Sequence, residues 1–223
     1  MTPPATRHLP LTTGISPRAT VFVVDDDASF LTAVSRLLRA GGYEVRTFSS
    51  AGTFLESLPP VDSPGCVIVD LKMPGLSGLD LQEALRKAHN PLPLIFLTGH
   101  GDIPTSVQAM RGGAEDFLTK PVKKQALFEA VQRALARGAR ELTERTRQSE
   151  LRARFDALTP REREVLAHVL RGQLNKQVAG DLGTSERTIK AHRANIMAKL
   201  EVQSVAELAR LAQEAGVGGE GHR

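Results

Sequence analysis

Val67-Ile68-Val69-Asp70-Leu71-Lys72-Met73-Pro74-Gly75 decides the fold: a short apolar run ends on one carboxylate, and a turn containing Pro and Gly follows at once. Apolar on both faces, such a run reads as a strand buried in a parallel sheet that delivers its acid to the sheet's carboxyl edge. Open α/β sheets bind their ligands at that edge. Three other runs carry a similar signature. Thr20-Val21-Phe22-Val23-Val24 ends in Asp25-Asp26-Asp27. Residues 92–97, interrupted by Pro93, end in Thr98-Gly99, and Phe117-Leu118-Thr119 ends in Lys120-Pro121. If these strands are parallel, acids, a hydroxyl and an amine converge on one edge. Clustered carboxylates repel and need a cation, and oxygen-only donors favour a hard one such as Mg2+. A lysine beside them suits a phosphoryl group, whose equatorial oxygens need positive charge around them.

Taken singly, each residue has a plainer explanation. Asp70 reads as a strand-end or turn residue. Asp27 reads as the N-cap of a helix over 29–40 that Gly41-Gly42 end. Lys120 before Pro121 reads as a surface turn residue, and Thr98 and Phe117 as ordinary strand and core residues. Their joint order and spacing, however, resemble a known family. Val24-Asp25-Asp26, Asp70-Leu71-Lys72-Met73-Pro74, Thr98-Gly99 and Lys120-Pro121 resemble the receiver domain of two-component response regulators, over about residues 20–134. The run Thr98-Gly99-His100-Gly101-Asp102-Ile103-Pro104 resembles the FixJ subfamily in particular.

This resemblance implies a doubly wound, flavodoxin-like α/β domain with a five-stranded parallel sheet. It implies that Asp70 accepts a phosphoryl group from a sensor histidine kinase. It implies that Asp25, Asp26, Asp70 and the backbone carbonyl of Lys72 hold one Mg2+, and that Thr98 and Lys120 bond the phosphoryl group. Phe117 stands at the family's aromatic switch position, turning inward when Thr98 is drawn toward the phosphoryl. A carboxylate nucleophile forming an aspartyl-phosphate needs mainly positioning and charge neutralisation, so the chemistry is self-consistent.

Composition excludes other classes. The chain has 223 residues, enough for one large or two modest domains, with 24% charged and 41% hydrophobic residues. No apolar stretch approaches the ~18 residues of a membrane span. The segment 1–19, rich in Thr and Pro, reads as a disordered arm and not a secretory signal, and 217–223 reads as a disordered tail. The one cysteine, Cys66, opens the strand that leads to Asp70 and reads as a buried, inert thiol. No phosphate-binding loop of the G-x-x-x-x-G-K-[ST] kind is present, so the phosphoryl donor is another protein or a small molecule. The net charge of +4 is uneven: residues 1–124 hold twelve basic and twelve acidic side chains, so the whole excess lies beyond them. Between Arg171 and Leu200 there are six basic and two acidic residues, the footprint of a nucleic-acid partner or of a solvated helix face.

The C-terminal segment is clearly punctuated. Thr159, Pro160 and Glu162 make an N-cap, an N1 proline and a capping-box acid, and Gly172 ends that helix. A second helix, 175–182, closes at Gly183. Thr184-Ser185 opens a third that runs to Leu200 with Ile189, Ile196, Met197 and Leu200 inward. Ser204 opens a fourth carrying Val205, Leu208 and Leu211. Two helices joined by a Gly-containing turn form a helix-turn-helix, whose second helix can enter the major groove. Upstream, 123–138 reads as the last receiver helix. Residues 140–154, charged and free of Pro and Gly, read as a solvated continuation over a linker at 135–153, with a flexible tether as the alternative.

The stretches Leu158-Thr159-Pro160-Arg161-Glu162-Arg163-Glu164-Val165-Leu166, Asn175-Lys176 and Thr188-Ile189-Lys190-Ala191-His192-Arg193 resemble the LuxR-type DNA-binding domain, spanning about residues 154–216. This order of domains is that of FixJ-type transcription regulators. The resemblance implies that Lys190 and its neighbours approach base edges. Lysine can donate to guanine and Ala191 can meet a thymine methyl. Lys176, Thr188, His192, Arg193 and Lys199 suit phosphates, and Arg187 suits either. Two departures from the family stand out: Glu201 where Gly or Asn is common, and Ala194 at a contact position. The reading is a cytoplasmic, phosphorylation-controlled transcription regulator, not an enzyme in the usual sense. Its partners are a histidine kinase, promoter DNA, RNA polymerase and a second copy of itself, with no membrane. A phosphate-responsive protein-interaction module and a constitutive DNA binder are the rivals.

Overall fold

The structure, a computed structural model, describes residues 19–99 and 103–217. The expected N-terminal arm up to Arg18, the segment His100-Gly101-Asp102 and the expected tail beyond Val217 lie outside the described residues. The chain divides into two compact units, Met1–Leu142 and Thr143–Arg223.

In the first unit, strands β1 (Thr20–Val24), β2 (Glu44–Phe48), β3 (Gly65–Asp70), β4 (Leu94–Thr98) and β5 (Asp116–Thr119) form one sheet in the order β2-β1-β3-β4-β5. Every neighbouring pair is parallel. Helices α1 (Ala28–Ala40), α2 (Ala51–Glu56), α3 (Gly78–Lys87), α4 (Ile103–Arg111) and α5 (Lys124–Asp156) follow the strands in turn. Side-chain alternation along each strand sorts the core into two layers. Phe22, Val24, Val67, Val69 and Phe96 face Phe54, Leu81, Leu85 and Ala109 from α2, α3 and α4. Val21, Val23, Ile68, Ile95 and Leu97 face Val34, Leu38, Leu127 and Val131 from α1 and α5. Burying each large aliphatic contributes about 1.5–3 kcal/mol, which is why these runs read as continuously apolar. Cys66 is fully buried among them, and burial pushes its thiol up.

The strand order reverses direction at β1, so the crevice between the carboxyl ends of β1 and β3 is the switch point where such sheets bind ligands. Asp27 accepts from Ser29 N at 2.8 Å and Phe30 N at 3.1 Å, capping α1 as its position suggested. The edge strand β2 had no apolar run to reveal it, since Glu44, Arg46 and Thr47 are exposed and only Val45 is buried. The strand expected over 92–97 begins at Leu94, after Pro93.

Helix α5 is 33 residues long. Burial claims more of it than its charge pattern implied. Leu135 is buried in the receiver core, and Leu151 and Phe155 are buried in the second. Both ends of the stretch read as linker are therefore core. Gly138 does not end the helix: a Cβ there would lie 3.2 Å from the Gly65 carbonyl oxygen and 3.4 Å from Pro93, so a small residue lets α5 pass the start of β3.

In the second unit, α6 (Pro160–Leu170), α7 (Asn175–Asp181), α8 (Glu186–Leu200) and α9 (Val205–Glu214) enclose Val165, Leu166, Val169, Val178, Ile189, Ile196, Leu200 and Leu208. Val205, expected on the apolar face of the last helix, is 39% exposed. Thr159 and Glu162 form the expected capping box of α6, with Thr159 N donating to Glu162 Oε2 at 2.8 Å. Glu162 is itself buried, and Lys199 Nζ meets its Oε2 at 2.7 Å. Glu201 ends α8 in the left-handed region at φ 57°, the conformation that makes Gly or Asn common there.

The Lys199 ammonium beside Glu162 holds its carboxyl below the usual carboxylate range. A carboxyl depressed in the folded state adds stability that is complete above its ordinary value of 4.5 and is lost as pH falls through the folded value. Lys199→Met should therefore lower the stability of the second unit at pH 7 by about 1–3 kcal/mol. Urea unfolding repeated at falling pH should also show a weaker acid dependence than wild type.

Candidate functional site

The carboxyl edge of the sheet gathers the expected residues from four strands. Asp25 follows β1, Asp70 ends β3, Thr98 ends β4 and Lys120 follows β5. Lys120 is tied by its backbone, its N–H donating to the Thr98 carbonyl at 2.7 Å, and the Lys120–Pro121 peptide is cis. Its ammonium then bridges the two acids, 2.5 Å from Asp25 Oδ2 and 2.6 Å from Asp70 Oδ1. The Phe30 ring lies 4.2 Å from the same nitrogen. The remaining carboxylate oxygens are held by backbone donors: Asp70 Oδ2 accepts from Lys72 N at 2.7 Å, and Asp25 Oδ1 from Asp27 N at 3.0 Å. The acid loop packs under α3, where Gly78 donates its N–H to the Leu71 carbonyl. A Cβ on Gly78 would come within 2.6 Å of the Asp70 carbonyl oxygen.

Burial and pairing oppose each other here. Burial raises the Asp25 carboxyl above its ordinary value, against the lowering pull of Lys120. Burial pulls the Lys120 ammonium down, but its bonds to Asp25 and Asp70 outweigh that and leave it raised. One ammonium between two carboxylates leaves a net negative charge in a cleft that is nearly closed to water, the electrostatic setting for a cation.

Asp26 is exposed beside Asp25, and Lys72 is exposed after Asp70. Among the described residues no three His, Cys, Asp or Glu side chains converge into a metal cage. Mg2+ does not require one, since it is commonly held by one or two carboxylates together with water and substrate phosphate. The donors present, two converging carboxylates with a third beside them, are the hard oxygens it takes. Thr98 is 2% exposed, and Phe117 is half-buried and stacks on Phe96 with ring centroids 6.2 Å apart.

The second set of expected residues lies on α7 and α8. Arg187, Thr188, Lys190 and Ala191 are exposed on α8 and Lys176 on α7, while His192 and Arg193 are half-buried. Thr188 closes the first turn of α8, its N–H donating to Ser185 Oγ. Arg193 Nη1 reaches the Gln173 carbonyl at 3.5 Å. Lys199 is exposed on the last turn of α8, and its ammonium meets buried Glu162. Asn195, four residues after Ala191 and exposed, was missed from sequence because it is uncharged. Its amide can pair bidentately with adenine, and its i+4 spacing from Ala191 is the signal that could have found it.

Two family models match the chain: the response regulator receiver domain over residues 21–132, and the bacterial regulatory proteins of the luxR family over residues 156–212. Nodulation protein W of Bradyrhizobium diazoefficiens is 42% identical over 205 residues, covering 92% of this chain and 90% of that protein. Transcriptional regulatory protein FixJ of the same organism is 38% identical over 197 residues, covering 88% and 96%. Among solved structures, the response regulator StyR aligns at a TM-score of 0.78 and 46% identity, covering 88% of this chain and 99% of that one. Full-length FixJ from B. japonicum aligns at 0.54 and 38%, covering 89% and 97%.

Removing the shared ammonium should expose the cost of the arrangement. Lys120→Ala should destabilise the receiver by about 3–5 kcal/mol, because two buried carboxylates lose their partner. Denaturant unfolding of this variant should recover part of that loss when Mg2+ is added.

Proposed function

The chain belongs to the response regulators that join a receiver domain to a LuxR-type DNA-binding domain, and on that premise we propose how its own residues carry the signal. Asp70 is the phosphoryl acceptor. The reading is carried by one observation: Lys120 Nζ sits within 2.6 Å of both Asp70 and Asp25 at the sheet's carboxyl edge. A carboxylate oxygen of Asp70 attacks phosphorus, a P–O bond forms, and the bond from phosphorus to the donor breaks. The donor is a phosphohistidine of a sensor kinase or a small acyl phosphate.

Asp25, Asp26, Asp70 and the Lys72 carbonyl would hold Mg2+, which neutralises charge on the transferring group. Lys120 and the Thr98 hydroxyl bond the phosphoryl oxygens. Transfer replaces the single negative charge of the Asp70 carboxylate with the roughly two of an acyl phosphate, so the cleft gains about one. Lys120 then serves Asp25 and the more highly charged phosphoryl group in place of the Asp70 carboxylate. Thr98 moves toward the new oxygens, and Phe117, stacked on Phe96 one strand away, turns into the space this leaves. The receiver surface changes, two copies pair, and the dimer suits an operator with two half-sites.

In the C-terminal unit, Lys190, Ala191 and Arg187 face bases, while Lys176, Thr188, His192 and Arg193 meet phosphates. An operator-binding regulator works where the chromosome is, in the cytoplasm, and its bound form is placed to meet RNA polymerase.

Incubating the full chain with acetyl phosphate and Mg2+ should add one acid-stable, base-labile phosphoryl group, read by intact mass and lost in Asp70→Asn. A wild-type mass that never changes would overturn the acceptor reading. Lys190→Ala should keep the phosphoryl group and lose about 1–3 kcal/mol of discrimination between operator and random duplex, measured by titration at fixed salt.

A further inference from the structure

Helix α8 buries one stripe and shows the opposite one. Ile189, Ile196 and Leu200 are its buried residues. At 3.6 residues per turn, the side facing away from them carries Arg187, Lys190, Ala191, Ala194, Asn195 and Ala198 within an arc of about 140°. All six are exposed. Ala191, Ala194 and Ala198 run down the middle of that arc, with Lys190 on one flank and Asn195 on the other.

Other polar side chains of α8 are engaged within the fold. Thr188 Oγ1 lies 2.9 Å from Ser185 Oγ, Arg193 reaches the Gln173 carbonyl, and the Lys199 ammonium meets Glu162. The Asn195 amide has no hydrogen-bond partner among the described residues. Nor does it serve the helix. Asn195 is the tenth of fifteen residues and caps neither end. Asparagine is a poorer former of helix interiors than alanine, because its amide competes for the backbone. Its side chain therefore gives the fold nothing that alanine would not.

The chemistry of the arc identifies what would use that amide. Alanine methyls form no hydrogen bonds and suit thymine methyls, while Lys190 can donate to guanine. A carboxamide holds a donor beside an acceptor, the complement of N6 and N7 of adenine in the major groove. From Arg187 to Asn195 the helix rises about 12 Å, the length of about four base pairs.

We infer that Asn195 is a specificity-determining residue: it selects an adenine in each operator half-site, on the flank of the contact opposite Lys190. The inference rests on the operator-binding reading above. The half-site it implies has thymine methyls against Ala191 and Ala194, between a guanine on the Lys190 side and that adenine.

The test is selection of duplexes from a randomised pool by the full chain, treated with acetyl phosphate and Mg2+, in parallel with Asn195→Ala. Wild type should prefer adenine about tenfold at one position of each half-site. Asn195→Ala should lose that preference and keep the others. In titrations, replacing that adenine should weaken wild type about tenfold and leave Asn195→Ala unchanged within about twofold. The variant should bind random duplex as wild type does, with the same salt slope, since an uncharged amide releases no counterion. Its thermal unfolding should come no earlier than that of wild type. An adenine preference that survives in Asn195→Ala overturns the inference, as does its absence from the wild-type selection. So does a loss equal on selected and random duplex, the mark of a backbone contact, or an earlier unfolding. Wild type that selects no sequence overturns the operator reading itself, and the role of Asn195 falls with it.

Discussion

One ammonium placed between two buried carboxylates is the constraint on which the receiver depends. Asp25 and Asp70 are the ends of adjacent parallel strands, so the sheet brings like charges together in a cleft that water barely enters. The Lys120 ammonium makes that tolerable, and the chain positions it through the Thr98 carbonyl and the turn at Pro121. The arrangement costs desolvation, since burial opposes the charged form of both Asp25 and Lys120. It is sustained by the apolar layers on either side of the sheet, where Phe22, Ile68, Phe96 and Leu97 leave the strand ends no freedom to separate. The excess negative charge that remains gives a cation, or a phosphoryl group brought with one, a reason to bind there.

Much of this was legible because buried parallel strands are written as continuous apolar runs. β1 and β3 could be read with their terminal acids attached, and the capping residues Asp27, Thr159, Ser185 and Ser204 stand where their side chains close a first turn. β2 was not legible, because an edge strand with Glu44, Arg46 and Thr47 exposed carries no such run. α3 was missed too, although Ser77 and Asp80 form a complete capping box. The charged stretch after Gly138 looked solvated because its two deepest residues, Leu151 and Phe155, are isolated among polar neighbours.

The C-terminal unit shows a different limit. A basic residue on a helix that faces nucleic acid and one that neutralises a buried acid look alike in sequence. Lys190 and Lys199 are nine positions apart on α8, which places them on opposite sides of a helix of 3.6 residues per turn. Both are exposed, and the Lys199 ammonium also reaches Glu162, 37 positions earlier in the chain. Glu162 had already been assigned to the capping box of α6, so its need for a cation was invisible until its burial was known. One of the cations counted over 171–200 therefore has an acid partner within the fold, and Asn195 is an uncharged polar group exposed on the same helix.

Magnitudes limit what any single contact can contribute to switching. Carrying a two-state receiver from about one per cent to about ninety-nine per cent active requires roughly 5.5 kcal/mol of preference for the active form. A single hydrogen bond contributes about 1 kcal/mol net, so no one such contact can be the whole switch. The larger share must come from where charge changes, at Asp70, because breaking or remaking a buried ion pair such as Lys120 with Asp25 and Asp70 is worth several kcal/mol. The two scales have different consequences. The carboxylate site carries the larger scale, because buried charges are paired there, and any single hydrogen bond elsewhere in the receiver acts on the smaller one.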